Sequence, residues 1–242
     1  MSNHPKPVAK RPAASGHSAR KPAPGVGFNP LSLARFDCTH AALTTLPGSG
    51  LPEVAFVGRS NAGKSSAINV LTNQKQLAFA SKTPGRTQHF NYFAVPQHGK
   101  ADAPVNGYLV DLPGYGFAQV GMGVKTRWAD MFTQYLVSRQ PLAGVVALMD
   151  IRHPLTDLDA QLLDLVLPAG RPVLVLLTKA DKINRQEQTK AVTAVKQAIF
   201  DAVGETPLAT VLPFSNTART NLAAVRTQVC AWLNLDYTGD AD

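Results

Sequence analysis

A chain of 242 residues with 45% hydrophobic side chains can build one large α/β domain, or two small ones, around a sizeable core. No apolar run approaches the roughly 18 residues of a membrane span, there is no secretory apolar region, and Cys38 and Cys230 lack partners at metal spacing; a cytoplasmic protein with unpaired thiols is expected, with no membrane partner. The net charge of +8 favours a polyanionic partner, RNA or a phosphate-rich surface first.

Five of the positive charges, Lys6, Lys10, Arg11, Arg20 and Lys21, fall in residues 1–30 with no acidic residue among them. That stretch is rich in proline and poor in large apolar side chains, so it reads as a disordered basic tail. From Leu31 to Leu51 a folded lead-in is expected, because Leu31, Leu33, Phe36 and Leu43 need burial. Val54 to Val57 is an apolar strand, and Ala67 to Leu71 is helix-like. Phe90 to Val95 predicts an edge strand, joined by a polar hairpin loop, Pro96 to Asn106, to a short buried strand, Tyr108 to Val110.

Strands and helices then alternate. Trp128, Met131, Phe132, Tyr135 and Leu136 recur at helical spacing and are read as core. Val145 to Met149 and Val173 to Leu177 are continuous apolar strands, and Val211-Leu212 is a short last one. Thr156-x-x-Asp159 resembles a capping box ahead of Leu158, Leu162 and Leu165. Val192, Val195 and Ile199 predict a helix stopped at Gly204, and Leu222, Val225, Val229 and Trp232 predict the last one. Continuous apolar strands between helices mean a mostly parallel sheet covered on both faces. The expectation is a single domain over 31–235, six strands with one antiparallel edge strand, and a short acidic tail at 236–242.

Between the first strand and first helix lies Gly58-Arg59-Ser60-Asn61-Ala62-Gly63-Lys64-Ser65, the spacing and context of a phosphate-binding loop. Gly58 and Gly63 let backbone N–H groups approach phosphate oxygens, and the helix adds its positive dipole end. Lys64 can reach the outer phosphates as a point charge, and Ser65 can offer its hydroxyl to Mg²⁺. Asp111-Leu112-Pro113-Gly114 closes a later strand; Asp111 can bind Mg²⁺ through water, and Gly114 can present its N–H to the terminal phosphate. Thr178-Lys179-Ala180-Asp181 ends another strand. A carboxylate there accepts from the ring N–H and exocyclic amine of guanine, whereas adenine offers it neither donor pair. Lys179 can lie along the ring plane. Phe214-Ser215-Asn216 follows the last strand, where backbone N–H groups could approach the base carbonyl. In the polar loop before Phe90, Thr87 and Thr83 compete as the second protein ligand of Mg²⁺.

These elements in this order look like a P-loop GTPase of the translation-factor class. The loops Gly58 to Ser65, Ser81-Lys82-Thr83-Pro84-Gly85-Arg86-Thr87-Gln88 and Asp111 to Gly116 resemble the EngB family of bacterial ribosome-assembly GTPases, as do Trp128, Tyr135-Leu136, Arg139, Asp150-Ile151-Arg152-His153-Pro154 and Thr178 to Asp181. The resemblance spans about Leu31 to Leu235. It implies GTP and GDP binding with slow hydrolysis, Mg²⁺ on Ser65 and Thr87, and nucleotide contacts from Gly85, Arg86, Gln88 and His89. It also implies a monomer acting on precursors of the large ribosomal subunit, rRNA and ribosomal proteins, and a requirement for normal cell division and septation. Asn216 stands where the family commonly has a small hydroxyl residue, and Asn221 where it often has glycine.

Lys64, Thr87 and Gly114 are the candidates for the hydrolytic step. In Ras-like GTPases the residue after D-x-x-G is a glutamine that orients the attacking water; here it is Tyr115. Slow intrinsic turnover is therefore expected, with the missing charge supplied by the ribosomal particle or by a K⁺ ion held by Asn61. A scaffold that binds GTP without needing its hydrolysis is the alternative. A nucleoside kinase on the same loop is disfavoured by Thr178 to Asp181.

Overall fold

The computed structural model describes residues 27–79, 89–99, 103–115 and 122–239, with 122–128 described for their backbone only. The strands are β1 (Arg35–His40), β2 (Glu53–Gly58), β3 (Phe90–Pro96), β4 (Val105–Asp111), β5 (Leu142–Asp150), β6 (Val173–Thr178) and β7 (Ala209–Pro213). The helices are α1 (Lys64–Leu71), α2 (Met122–Ser138), α3 (Asp157–Val166), α4 (Arg185–Val203) and α5 (Leu222–Trp232). One sheet forms in the order β1-β3-β4-β2-β5-β6-β7. From β4 to β7 every pairing is parallel, while β3 runs antiparallel to both β1 and β4.

Two expectations are corrected here. The sheet has seven strands rather than six, and β3 is an inner strand rather than the edge. The additional strand, β1, comes from the lead-in. Its residues are mostly exposed, so it is a strand through backbone pairing with β3 and leaves no hydropathy signal. Phe36, expected to be buried, is 56% exposed and meets Phe93 edge-on at 6.1 Å between ring centroids.

Alternation along the strands divides the core between two faces. Ala55, Val57, Val145, Ala147, Val173, Val175 and Leu177 face one way, under Phe132, Tyr135, Leu162, Val166, Val195 and Ile199 of α2, α3 and α4. Val54, Phe56, Val146, Leu148, Leu174 and Leu176 face the other way, under Ile68, Leu71, Val225 and Val229 of α1 and α5. Two arginines, Arg226 buried and Arg171 half-buried, close two helices at their negative ends. Arg226 donates to the carbonyls of Leu71 (2.9 Å) and Val70 (2.8 Å), and Arg171 to those of Leu136 (3.0 Å) and Val137 (2.6 Å). Among the described residues no helix is long and apolar enough to cross a membrane.

The chain leaves β2 through α1 toward β3 and β4, and returns through α2 to β5 on the other side of β2. That reversal opens a crevice at the carboxyl ends of the parallel strands, the place where open α/β sheets bind ligands.

Candidate functional site

The loop after β2 is shaped by backbone constraint. A Cβ on Gly58 would lie 2.9 Å from the Leu148 carbonyl oxygen of β5, so only glycine allows this approach. Asn61 (φ 66°) and Gly63 (φ 92°) are left-handed, with an Ala62 N–H to Arg59 carbonyl turn of 3.0 Å between them. Helix α1 starts at once, the Ala67 N–H donating to Gly63 at 2.8 Å, so the N–H groups of the first turn have no helical partners. Lys64 sits inside the crevice and pairs its ammonium with the nearly buried carboxylate of Asp111. Ser65 is half-buried on the same turn.

Asp111 ends β4 and is followed by a segment laid against the phosphate loop. The Leu112 N–H donates to Phe56 at 3.1 Å and the Tyr115 N–H to Gly58 at 3.3 Å, with Pro113 between. A Cβ on Gly114 would come 3.2 Å from Gly58 O and Ser60 N. Tyr115, at the position of the absent glutamine, turns away from this crevice. Its ring is 8% exposed against Phe132, and its hydroxyl donates to Asp159 Oδ1 at 2.8 Å. Burial foremost, and then the Asp159 charge, hold that phenol well above its ordinary pKa.

Across β5, Thr178 at the end of β6 places Oγ1 2.8 Å from the Ala62 carbonyl, tying the phosphate loop to the next motif. Lys179 is left-handed (φ 60°), and buried Ala180 donates its N–H to Phe214 at 3.1 Å. Asp181 accepts from Ser215 Oγ at 2.6 Å and pairs with Lys182 Nζ at 3.2 Å. The Ser215 bond is the main reason its carboxyl is held below the usual range. Asn216 reaches toward the phosphate loop: its Nδ2 is 3.4 Å from where a Cβ on Gly63 would sit, and its buried Oδ1 has no partner among the described residues.

Two carboxylates, read in the sequence only as a helix cap and as part of a family motif, organise this end of the sheet. Asp159 caps α3, accepting from Thr156 N (3.1 Å) and Thr156 Oγ1 (2.8 Å), and it also receives Tyr115. Asp150, ending β5, receives Arg152 Nε (2.9 Å), Arg152 Nη2 (2.7 Å) and Lys179 Nζ (2.8 Å). These bonds, Arg152's first, hold its carboxyl well below the carboxylate range. They also give Arg152-His153-Pro154, left without a role by the sequence, its place beside the crevice. Gly85, Arg86, Thr87, Gln88 and Thr83 lie outside the described residues, as do Gly116 and the side chain of Trp128; His89 is exposed just ahead of β3.

A family model described as 50S ribosome-binding GTPase matches residues 53–179, from the first residue of β2 to Lys179. The chain is 47% identical over 216 residues to the probable GTP-binding protein EngB of Ralstonia pickettii, an alignment covering 88% of this chain and 91% of that one. The chain belongs to the EngB family of GTP-binding proteins. Its EngB relatives include that of Bordetella pertussis, 48% identical over 204 residues, covering 84% of this chain and 96% of that one. A crystal structure of a probable GTP-binding protein EngB shares the fold with a TM-score of 0.54 at 19% identity, over 75% of this chain and 98% of that one. Era, solved with MgGDPNP and a segment of 16S ribosomal RNA, shares it with a TM-score of 0.51 at 21% identity, over 75% of this chain and 56% of that one.

Proposed function

We propose that this EngB-family protein binds GTP with Mg²⁺ in the crevice, hydrolyses it slowly, and acts as a nucleotide-dependent switch on precursors of the large ribosomal subunit. Normal cell division and septation would depend on that step. The observation that carries the reading is the span of the crevice. At β2 it offers a helix N-terminus and a lysine for phosphates; at β6 it offers Asp181, already oriented by Ser215, for a purine edge bearing two donors.

The donor set suits a hard cation. Ser65 would hold Mg²⁺ directly together with Thr87, and Asp111 through water; all three offer oxygen, the donor a hard cation takes. When bound, Mg²⁺ neutralises charge on the outer phosphates. The chain's own groups do the rest. The N–H groups of the loop and first turn of α1 cradle the phosphates, Lys64 exchanges Asp111 for a phosphate oxygen, and the Gly114 N–H meets the terminal phosphate. Asp181 and the backbone after β7 fix the guanine. Tyr115 is committed to the core, so the D-x-x-G turn brings no carboxamide to a water molecule, which supports slow intrinsic turnover.

The test is co-sedimentation of the protein with large-subunit precursors in a non-hydrolysable GTP analogue and in GDP, alongside single-turnover GTP hydrolysis. Preferential binding in the GTP state with slow turnover is expected. Equal binding in the two states would remove the switch.

A further inference from the structure

The register of the sheet sets Asp150 beside Thr178, so the carboxylate ending β5 neighbours the residue immediately before Lys179. Thr178 anchors the phosphate loop through Ala62, and Asp181 is oriented by Ser215. Lys179 lies between them in the chain, and its four-methylene stem runs back across the ends of β6 and β5 until Nζ reaches Asp150 Oδ2 at 2.8 Å. A lysine stem is among the most flexible side chains and carries no preferred direction unless its ammonium is held. Here it is held, on a carboxylate only 20% accessible.

We propose that Asp150 is a positioning residue for the nucleotide: by fixing the ammonium of Lys179 it lays the lysine stem in place as an apolar platform for the face of the purine. Arg152 shares the same carboxylate, with Nε and the backbone N–H (3.1 Å) on Oδ1 and Nη2 on Oδ2. Arg152 therefore competes for Asp150 rather than supporting Lys179. The stem meets the ring face, not its edge, so this contribution is blind to the substituents that Asp181 reads.

The inference rests on the crevice being a guanine-nucleotide site, and the experiment separates the two. GDP and inosine diphosphate are titrated against the full chain, Asp150→Asn, Arg152→Ala, Lys179→Met and the Asp150→Asn/Lys179→Met double variant, with a nucleotide-free melt for each. Failure of the parent chain to bind GDP overturns the site reading, and the inference with it. With the parent binding, Asp150→Asn is expected to weaken GDP and inosine diphosphate by the same factor, about tenfold, the scale of one long side chain losing its preorganisation. Arg152→Ala is expected to retain parental affinity, and Asp150→Asn to add nothing in the Lys179→Met background. A loss confined to GDP, an equal loss in Arg152→Ala, or a full further loss in the double variant overturns the proposal. Should Asp150→Asn not fold, Lys179→Met carries the test alone: a matching loss on both nucleotides supports it, and parental affinity overturns it.

Discussion

The Tyr115 hydroxyl donates to Asp159 Oδ1 at 2.8 Å, a buried bond that ties the turn beside the phosphate loop to the first turn of α3. Asp159 simultaneously holds the backbone and hydroxyl of Thr156 through its other oxygen. A residue that in Ras-like enzymes faces the attacking water is here a structural pin. The D-x-x-G turn lays Gly114 against the backbone of Gly58 and Ser60 while its next side chain serves the core.

Tyr115→Phe tests this division. Removing the hydroxyl leaves the ring against Phe132 but takes one partner from a carboxylate that is 1% exposed, a loss of about 1–3 kcal/mol. Urea unfolding should show that loss, while single-turnover GTP hydrolysis at a temperature where both proteins are folded should agree within about twofold. A collapse of turnover without loss of stability would put the hydroxyl in the chemistry.

At the opposite ends of the strands, Glu53 is 1% exposed and accepts from Tyr135 Oη (2.8 Å), Tyr92 Oη (3.2 Å) and Arg139 Nε (3.1 Å). Arg139→Met leaves a buried carboxylate with hydroxyl partners only, at a cost of about 3–5 kcal/mol. Adding Glu53→Gln should restore part of it, because a neutral amide is easier to bury. Nucleotide affinity of the folded protein should not change, since this network lies away from the crevice. Denaturant midpoints and a GDP titration of the three variants check both statements.

Gly144 in β5 faces the indole of Trp232 so closely that a Cβ would fall 2.4 Å from the ring. Gly144→Ala must displace α5 or the indole, at about 1–3 kcal/mol. Trp232→Leu opens that space, so the double variant should be more stable than the sum of the single losses predicts. Additive losses in a double-mutant cycle would show that the indole is not what the methyl group meets.

Much of this molecule was legible from its residues, and the gaps have physical causes. Val145 to Met149 and Val173 to Leu177 read as strands because both sheet faces are covered, so every side chain there is apolar. The phosphate loop read clearly because Gly58 and Gly63 are required by a close approach and a positive φ. Strand β1 did not read, because Arg35 to His40 is held by hydrogen bonds to β3 that any sequence can make. Thr156-x-x-Asp159 announced a cap, a local relation. That Asp159 also takes Tyr115, and Asp150 takes Lys179, depends on chain segments brought together only by the fold.

Asn61 bears on the source of the missing charge. It is exposed on the phosphate loop in a left-handed conformation (φ 66°), so its amide is not consumed by the core. If it helps to hold a monovalent cation beside the phosphates, K⁺ should accelerate turnover over Na⁺, and Asn61→Gly, which keeps the backbone free to adopt that φ, should erase the difference. Equal rates in the two salts, or an unchanged ratio in the variant, would end this reading.

Alkaline pH should unfold the protein through groups that the core keeps protonated. Burial pushes the Cys230 thiol up to about 12, and the Cys38 thiol, aided by Asp37, up to about 11. Tyr92, Tyr115 and Tyr135 are raised above their ordinary value as well, chiefly by burial. Below about pH 8.5 both the folded and unfolded chains hold the thiol protons, and stability is independent of them. Above it the unfolded chain releases protons that the folded chain retains, so stability falls as pH rises, first through the cysteines and from about pH 10 through the tyrosines as well. Urea midpoints between pH 7 and 10.5 should decline along that course. Cys230→Ala lowers the absolute stability by opening space in the core, but its decline between pH 8.5 and 10 should be shallower than the parent's; an equal slope would show that Cys230 is not one of the groups responsible.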